Sequence, residues 1–533
     1  MRKIFSIIFF LGFSVYPAWQ QQEFVIGTYA DPSFTGDPTT DLATLQLVKN
    51  AGFNTLTGYP GYYDCNAAAG KASWYGWYSA FGYGTNPNVC ASYRLDLLAS
   101  IGGLKTFIGD ENIISDYNSN SWRTGSTPAV VSTINNGTLP GINPAFTAQE
   151  KNCLLGYLMP DEENSKVVNN IMGYGVDHFI KPVQDAFYNK LPDLTCLVNF
   201  AEHADDISTL QKDYSDFASD ASTRIVCYDY YLFDDNNGTN VNGYFKMGAS
   251  KVLYYWTLKM VAQTIKGKNI SMWGFAGNVE HYCYNADGTT VNRHHVNLDI
   301  AQLGYVSYAH ILYGAKGILY YSYDPVQYSY DATTGKLSEQ NLNAPSSFSP
   351  VYNPSTYSTL QKINNRIKKI GQNLMSLQWV STIHGAATDP CSNENSLDVL
   401  KDNSTPFYYK TSSGDAFQHG TGASAGWKPD SLAIGLFKGG AFDYLLILNK
   451  SLYMSSDKKW HETDINNTKY IVKSHVYPRV FDKDNGGWMP PIGLYNSSNN
   501  TTSFELKIPS GDMQMVWLGP ANIVPIINLM LKH

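Results

Sequence analysis

Along this chain, short apolar runs alternate with stretches whose apolar residues recur at helical spacing. Phe24 to Ala30 (Phe-Val-Ile-Gly-Thr-Tyr-Ala) reads as a buried strand, and Asp31 to Thr40 as a turn-rich loop with Thr39 and Thr40 as capping candidates. Leu42, Leu45 and Val48 then predict a helix over Asp41 to Ala51, stopped at Gly52, before Phe53 to Gly58 restores a strand. The alternation continues with a helix at Tyr93 to Ser100 and strands at Leu104 to Gly109 and from Cys153 onward. Val167 to Leu191 is an interrupted helical region and Thr195 to Phe200 a strand. Helices at Ile207 to Ala218, Phe245 to Ile265, Leu298 to Tyr313 and Ser358 to Leu377 are interleaved with strands at Arg224 to Tyr228, Ile270 to Ala276 and Gly317 to Tyr321. An aromatic stretch, Tyr59 to Val89, and a Ser-, Asn- and Thr-rich one, Asp110 to Pro144, read as insertions after strands.

Eight strands, most followed by a helix, predict an α/β fold, a (β/α)8 TIM barrel. A doubly wound open sheet is the competitor, but no Gly-x-Gly-x-x-Gly follows the first strand. From about Val380 the runs become short and are separated by Gly, Asn and Ser clusters, as at Ser431 to Phe437, Tyr444 to Asn449, Lys469 to Lys473 and Asp512 to Leu518. That texture predicts an antiparallel β-sandwich. The expected division is a signal peptide over 1–19, a barrel over 20–378 and a C-terminal sandwich over 379–533.

Composition narrows the setting. Arg2 and Lys3, the apolar run Ile4 to Phe13 and the small or polar residues before Trp19 have the layout of a secretory signal peptide. As a membrane anchor the run is short of the roughly 20 residues a span needs, so no stable membrane insertion is expected. Asn-x-Ser/Thr sequons at Asn136, Asn237, Asn269, Asn403, Asn449, Asn466, Asn496, Asn499 and Asn500 fit a secreted glycoprotein. A glycolipid-anchor signal in the tail Ala521 to His533 is an alternative to a last packed segment. Seven Cys leave at least one unpaired. Cys65 and Cys90 flank the aromatic insertion as the preferred disulfide, whereas Cys153, Cys196 and Cys227 sit in strand-like runs as buried thiols. Their spacing matches no zinc signature. A net charge of −7 without a Lys/Arg run argues against nucleic acid as partner. The 39 Tyr and 11 Trp suit sugar rings, and equally an ordinary core.

In a barrel, residues that follow the strands converge on one mouth. The acids arriving there are Asp161, Glu162 and Glu163 after the fourth strand, Glu202 after the fifth, Asp229 after the sixth and Glu280 after the seventh. Acetal hydrolysis needs a carboxyl that protonates the departing oxygen and a second carboxylate that attacks carbon or activates water. Asp229 can serve as the second carboxylate in place of Glu280, or hydrogen-bond sugar hydroxyls. Tyr59, Tyr230 and Trp273 are candidates to stack on sugar rings, with Asp161 and Asn278 as further substrate-binding candidates. Each also has a structural reading: Glu162 as a helix cap, Glu280 as a solvated loop acid, Trp273 as core. His294-His295 resembles a metal pair only superficially, no cofactor is implied, and oligomeric state is open.

Gly156-Tyr157-x-x-x-Asp161-Glu162, Gly304-Tyr-Val-Ser-Tyr-Ala-His310 followed by Gly314-Ala-Lys-Gly-Ile318, and Leu432-Ala-Ile-Gly-Leu-Phe437 resemble secreted glycoside hydrolases of the (β/α)8 superfamily, the clan-A type. The resemblance runs from about Phe24 to Leu518 and implies Glu162 as acid/base and Glu280 as nucleophile, acting on a carbohydrate substrate. Asp161 stands where that clan has Asn, and Gly277-Asn-Val279 intervenes before Glu280. A barrel that binds glycans without cleaving them, or serves as a cell-surface glycoprotein, is the alternative reading.

Overall fold

The computed structural model of the chain describes residues 19–57, 91–137, 147–161, 167–230, 249–277, 300–323, 354–384, 432–450 and 466–520, with short breaks inside these ranges, and isolated strands between them. Its central sheet contains β1 (Val25–Tyr29), β2 (Thr55–Leu56), β3 (Lys105–Ile108), β4 (Leu154–Leu158), β5 (Thr195–Leu197 and Asn199–Phe200), β6 (Ile225–Tyr228), β7 (Ser271–Gly277) and β8 (Gly317–Tyr321). Neighbours pair in parallel, and β8 returns to β1 with Gly317 opposite Val25 and Tyr321 opposite Tyr29. The ends of the sheet are the two pieces of β5, one paired with β4 and the other with β6. Only Val198 separates those pieces, so the sheet closes on itself as a (β/α)8 barrel.

Side chains alternate across a strand, and that parity separates two cores. Val25, Leu197, Ile225, Cys227, Phe275 and Leu319 fill the barrel. Ile26, Val198, Val226, Tyr228, Met272 and Ile318 point outward into the layer beneath the helices. Trp19 packs against the inner cluster. Nearby, Gln21 accepts from Trp273 Nε1 at 2.9 Å and donates to the Lys316 carbonyl at 2.5 Å. Gly317 leaves room for the indole, since a Cβ there would lie 2.8 Å from the Trp273 ring.

Two local expectations change. The first helix spans Pro38–Asn50, because Asp37 caps it in place of Thr39 or Thr40: its Oδ2 accepts the Thr40 N–H at 3.1 Å, and Pro38 fits the first turn. The stretch expected as the second insertion holds helices Glu111–Ser119 and Ala129–Asn135. Buried Ile113, Trp122, Val130 and Ile134 join it to the barrel's outer core, a role its polar composition conceals.

A five-stranded antiparallel sheet runs in the order Gln378–His384, Leu432–Gly439, Phe442–Asn449, Met513–Pro520, Val476–Val480. A four-stranded sheet of Gln418–His419, Asn466–Val472, Thr501–Ile508 and Leu494–Asn496 accompanies it. Ile434, Leu445, Ile447 and Val516 of the first pack with Tyr470 and Phe504 of the second. On the opposite face, Ala433, Phe437, Leu446 and Met515 join the barrel's outer core. The helix Ile300–Leu312 lies between the two bodies, which is why it is buried on all sides. A Cβ on Gly435 would stand 2.5 Å from the Leu312 carbonyl oxygen. At the same junction Lys450 Nζ donates to His384 Nδ1 at 3.3 Å, so His384 Nε2 carries the hydrogen shared with the Tyr313 hydroxyl at 2.6 Å.

Cys153, Cys196 and Cys227 are free, buried thiols. Cys65 and Cys90, the leader and the tail 521–533 lie outside the described residues. Among the described residues no helix is long and apolar enough to cross a membrane. The sequon at Asn449 is closed to a glycan in the folded chain, because its side chain is buried and Nδ2 donates to the Ile508 carbonyl at 2.9 Å.

Candidate active site

Four side chains meet where β1, β4, β5 and β6 end. Leu197 and Cys227 face the barrel interior, so Asn199 and Asp229, each two residues further along, face the same way. Tyr29, the last residue of β1, shares the parity of Val25. Asp161 follows β4 after Met159-Pro160, beyond the point where Met159 N still pairs with the Leu197 carbonyl at 2.9 Å. All four therefore sit at the C-terminal mouth, where barrels of this kind carry their chemistry.

They form a hydrogen-bonded chain. Tyr29 donates its hydroxyl to Asp161 Oδ1 at 2.6 Å, and Asn199 Nδ2 donates to the same oxygen at 3.0 Å. Nδ2 also donates to Asp229 Oδ2 at 3.2 Å. Asp229 is buried, and its backbone N–H extends the strand pairing to the Phe200 carbonyl at 3.0 Å. Beneath the acids, burial first, and then Asp229 and Asp161, push the Cys227 thiol well above its ordinary range. The thiol therefore stays protonated while the two carboxylates bear on it.

One backbone feature and one ring contact make this convergence possible. Gly156 brings β4 against β5, since a Cβ there would stand 1.6 Å from the Thr195 carbonyl oxygen. The Tyr29 ring is held edge-on by Phe275 with centroids 4.6 Å apart, so its hydroxyl has a defined direction.

Of the residues singled out in the sequence, Asp161 and Asp229 are brought together here. Tyr230 is buried against Tyr254, with centroids 5.4 Å apart. Trp273 is corrected from sugar platform to core: it is fully buried, bonded to Gln21 and packed edge-on to Phe107. Glu162, Glu280, Asn278 and Tyr59 lie outside the described residues. Tyr29 and Asn199 went unremarked in the sequence; the signal for both is a polar group at the interior-facing end of an otherwise apolar strand. Among the described residues no cluster of His, Cys, Asp and Glu could hold a metal ion.

No protein-family model and no curated protein sequence matches the chain. Solved structures similar to it include an α-amylase from Geobacillus thermoleovorans (8% identity, 94% of this chain and 98% of that one, TM-score 0.42). A β-galactosidase from Bacillus circulans sp. alkalophilus is similar at 8% identity over 93% of this chain and 99% of its own, with a TM-score of 0.43. A β-L-arabinopyranosidase from Geobacillus stearothermophilus is similar at 9% identity over 94% and 97%, with a TM-score of 0.41. These neighbours are glycoside hydrolases. The barrel assignment itself rests on the strand order, which closes through β5.

The phrase Gly304 to His310 occupies the buried helix between barrel and sandwich, away from the mouth. His310 Nδ1 bonds the Val306 carbonyl at 2.7 Å, and the imidazole packs where a Cβ on Gly274 would stand 1.8 Å from it. Burial lowers its pKa to about 4, so it is a neutral structural histidine at neutral pH.

Proposed function

We propose that this protein is a secreted glycoside hydrolase whose carboxylate pair is Asp161 and Asp229. The observation that carries the reading is the Asn199 amide nitrogen, which bonds an oxygen of each acid at 3.0 and 3.2 Å. Two carboxyl groups that reach one mouth from strands on either side of β5 meet the need of acetal cleavage for a pair of acids. Asp161 takes two donors on one oxygen and is the carboxylate that meets the developing positive charge at the sugar carbon. Asp229, more deeply set, supplies the proton to the leaving oxygen. The substrate is a polysaccharide or glycoconjugate met outside the cell, where the leader read at Met1 to Ala18 would send the chain.

The test is release of reducing ends from a panel of polysaccharides. Wild-type protein is expected to cleave at least one of them, and both Asp161→Asn and Asp229→Asn are expected to abolish that cleavage. Loss confined to Glu162→Gln and Glu280→Gln would assign the chemistry to the pair implied by the family resemblance and overturn this one.

A further inference from the structure

Resting on the export half of that reading and not on hydrolysis, we infer that the leader is removed at the Ala18–Trp19 bond and that the new amino terminus locks the floor of the barrel. Trp19 belongs to the fold. It packs against the cluster that fills the barrel, and its backbone nitrogen donates to the Pro192 carbonyl at 2.6 Å. Two residues on, Gln21 accepts from Trp273 Nε1 at 2.9 Å and donates to the Lys316 carbonyl at 2.5 Å. Pro192 stands before β5, Lys316 before β8, and Trp273 near the start of β7, so these partners lie at the N-terminal ends of the strands, opposite the mouth. A leader ending at residue 19 would carry Trp19 away from that floor. The boundary expected there moves back by one residue.

Sequence and geometry single out the same bond. A leader peptidase takes a small residue just before the cut. Ala18 is the last small residue ahead of Gly27, which already lies within β1, because Trp19 to Ile26 are all larger. A cut at any bond after Trp19 and before Gly27 therefore puts a bulky residue ahead of the break, and it also strips the contact with Pro192. A cut after Ser14 leaves a leader of 14 residues, short of the roughly 15 to 30 over which such leaders run. Ala18–Trp19 satisfies the length, the small residue and the floor together.

The cut is a hydrolysis by a leader peptidase. The oxygen of water bonds to the Ala18 carbonyl carbon, the bond from that carbon to the Trp19 nitrogen breaks, and the leader departs as a carboxylate while Trp19 keeps an ammonium. The nitrogen that gave Pro192 one hydrogen then carries three and a positive charge. A charged donor makes a shorter and stronger bond to a carbonyl than a neutral one does. Removal of the leader thus tightens the contact that closes the floor.

The deciding experiment expresses the full chain in a secreting host and reads the amino terminus of the exported protein by Edman degradation and intact mass. The expected start is Trp-Gln-Gln-Gln-Glu-Phe. An exported protein that begins at Gln20 or beyond, or at any residue before Trp19, would overturn the inference and leave export in place. A protein held in the cell with its leader attached would overturn both. A form made to begin at Gln20 is expected to melt about 3 °C or more below the form that begins at Trp19, and equal melting would overturn the lock. If the shorter form does not fold, a form that keeps Ala18 before Trp19 gives the same comparison, since it returns the nitrogen on Pro192 to a neutral amide; it is expected to melt lower, and equal melting would again overturn the lock.

Discussion

The guanidinium of Arg366, on the last barrel helix, grips both carboxylate oxygens of Asp484 in the sandwich, with Nε to Oδ1 at 2.6 Å and Nη2 to Oδ2 at 2.9 Å. Its third nitrogen reaches Asp512 Oδ2 at 3.3 Å, and Lys483 meets the same oxygen at 2.5 Å. Burial works against ionised Asp484, but the guanidinium wins and holds its carboxyl below the usual range. The two bodies are therefore joined by charge as well as by the apolar face around Met515.

The partners in that clamp are unequal. Arg366 and Asp512 are nearly covered, with side chains 9% and 2% exposed, whereas Asp484 is 56% exposed. Arg366→Met strips a buried acid of one cation and is expected to cost about 3 kcal/mol or more. Asp484→Asn leaves Arg366 bonded to Asp512 and to solvent and is expected to cost about 1 kcal/mol or less. Urea titrations of the two variants check the ranking.

Tyr29→Phe removes one donor from Asp161 while keeping the ring that packs on Phe275. A hydrogen bond to a charged group is worth about 1.5 to 3 kcal/mol, so kcat is expected to fall about 10- to 100-fold with little change in melting temperature. Steady-state kinetics on any glycan that the wild-type protein cleaves gives the comparison.

His310 makes the fold sensitive to acid. Its folded pKa of about 4 lies below the ordinary value of 6.5 because burial opposes the charge. Between those values the unfolded chain binds the proton and the folded chain does not, so this stability is fully present above pH 6.5 and is lost as pH falls toward 4. The loss amounts to roughly 3 kcal/mol across the window. Melting temperatures measured across that range are expected to flatten in His310→Leu, and an unchanged slope would contradict the assignment.

Gly156→Ala is expected to be among the most damaging single changes. The added methyl would meet the Thr195 carbonyl oxygen at 1.6 Å, and the φ of +157° lies at the edge of the region that side chains avoid. Strand β4 would have to leave β5, separating Asp161 from Asn199. Circular dichroism and thermal melting are expected to show a loss of more than about 3 kcal/mol.

Apolar runs at strand length and helical spacing made the barrel legible, because each strand had to bury both faces and each helix one. The sandwich is legible in the turn clusters from about Val380. The second insertion was misread because a few apolar residues, Trp122 foremost, organise two helices within a polar stretch. At the mouth, acidity drew attention to Asp161, Glu162, Asp229 and Glu280 alike, since composition does not say which acids share a partner. That sharing runs through Asn199, a neutral residue in an apolar strand, and the inward parity of Leu197 is what marks it. Of the two readings the sequence offers for Trp273, sugar platform and core, burial selects core, because an aromatic count does not separate the filled interior of a barrel from its rim.

The most direct measurement of the central claim is turnover by Asp161→Asn on a glycan cleaved by the wild-type protein, set beside its binding of the same glycan by calorimetry. The carboxylate pair requires kcat to fall by about 10⁴-fold, the scale seen when a unit of catalytic machinery is removed, with the dissociation constant within about threefold. Turnover at the wild-type rate by a folded Asp161→Asn protein would contradict it.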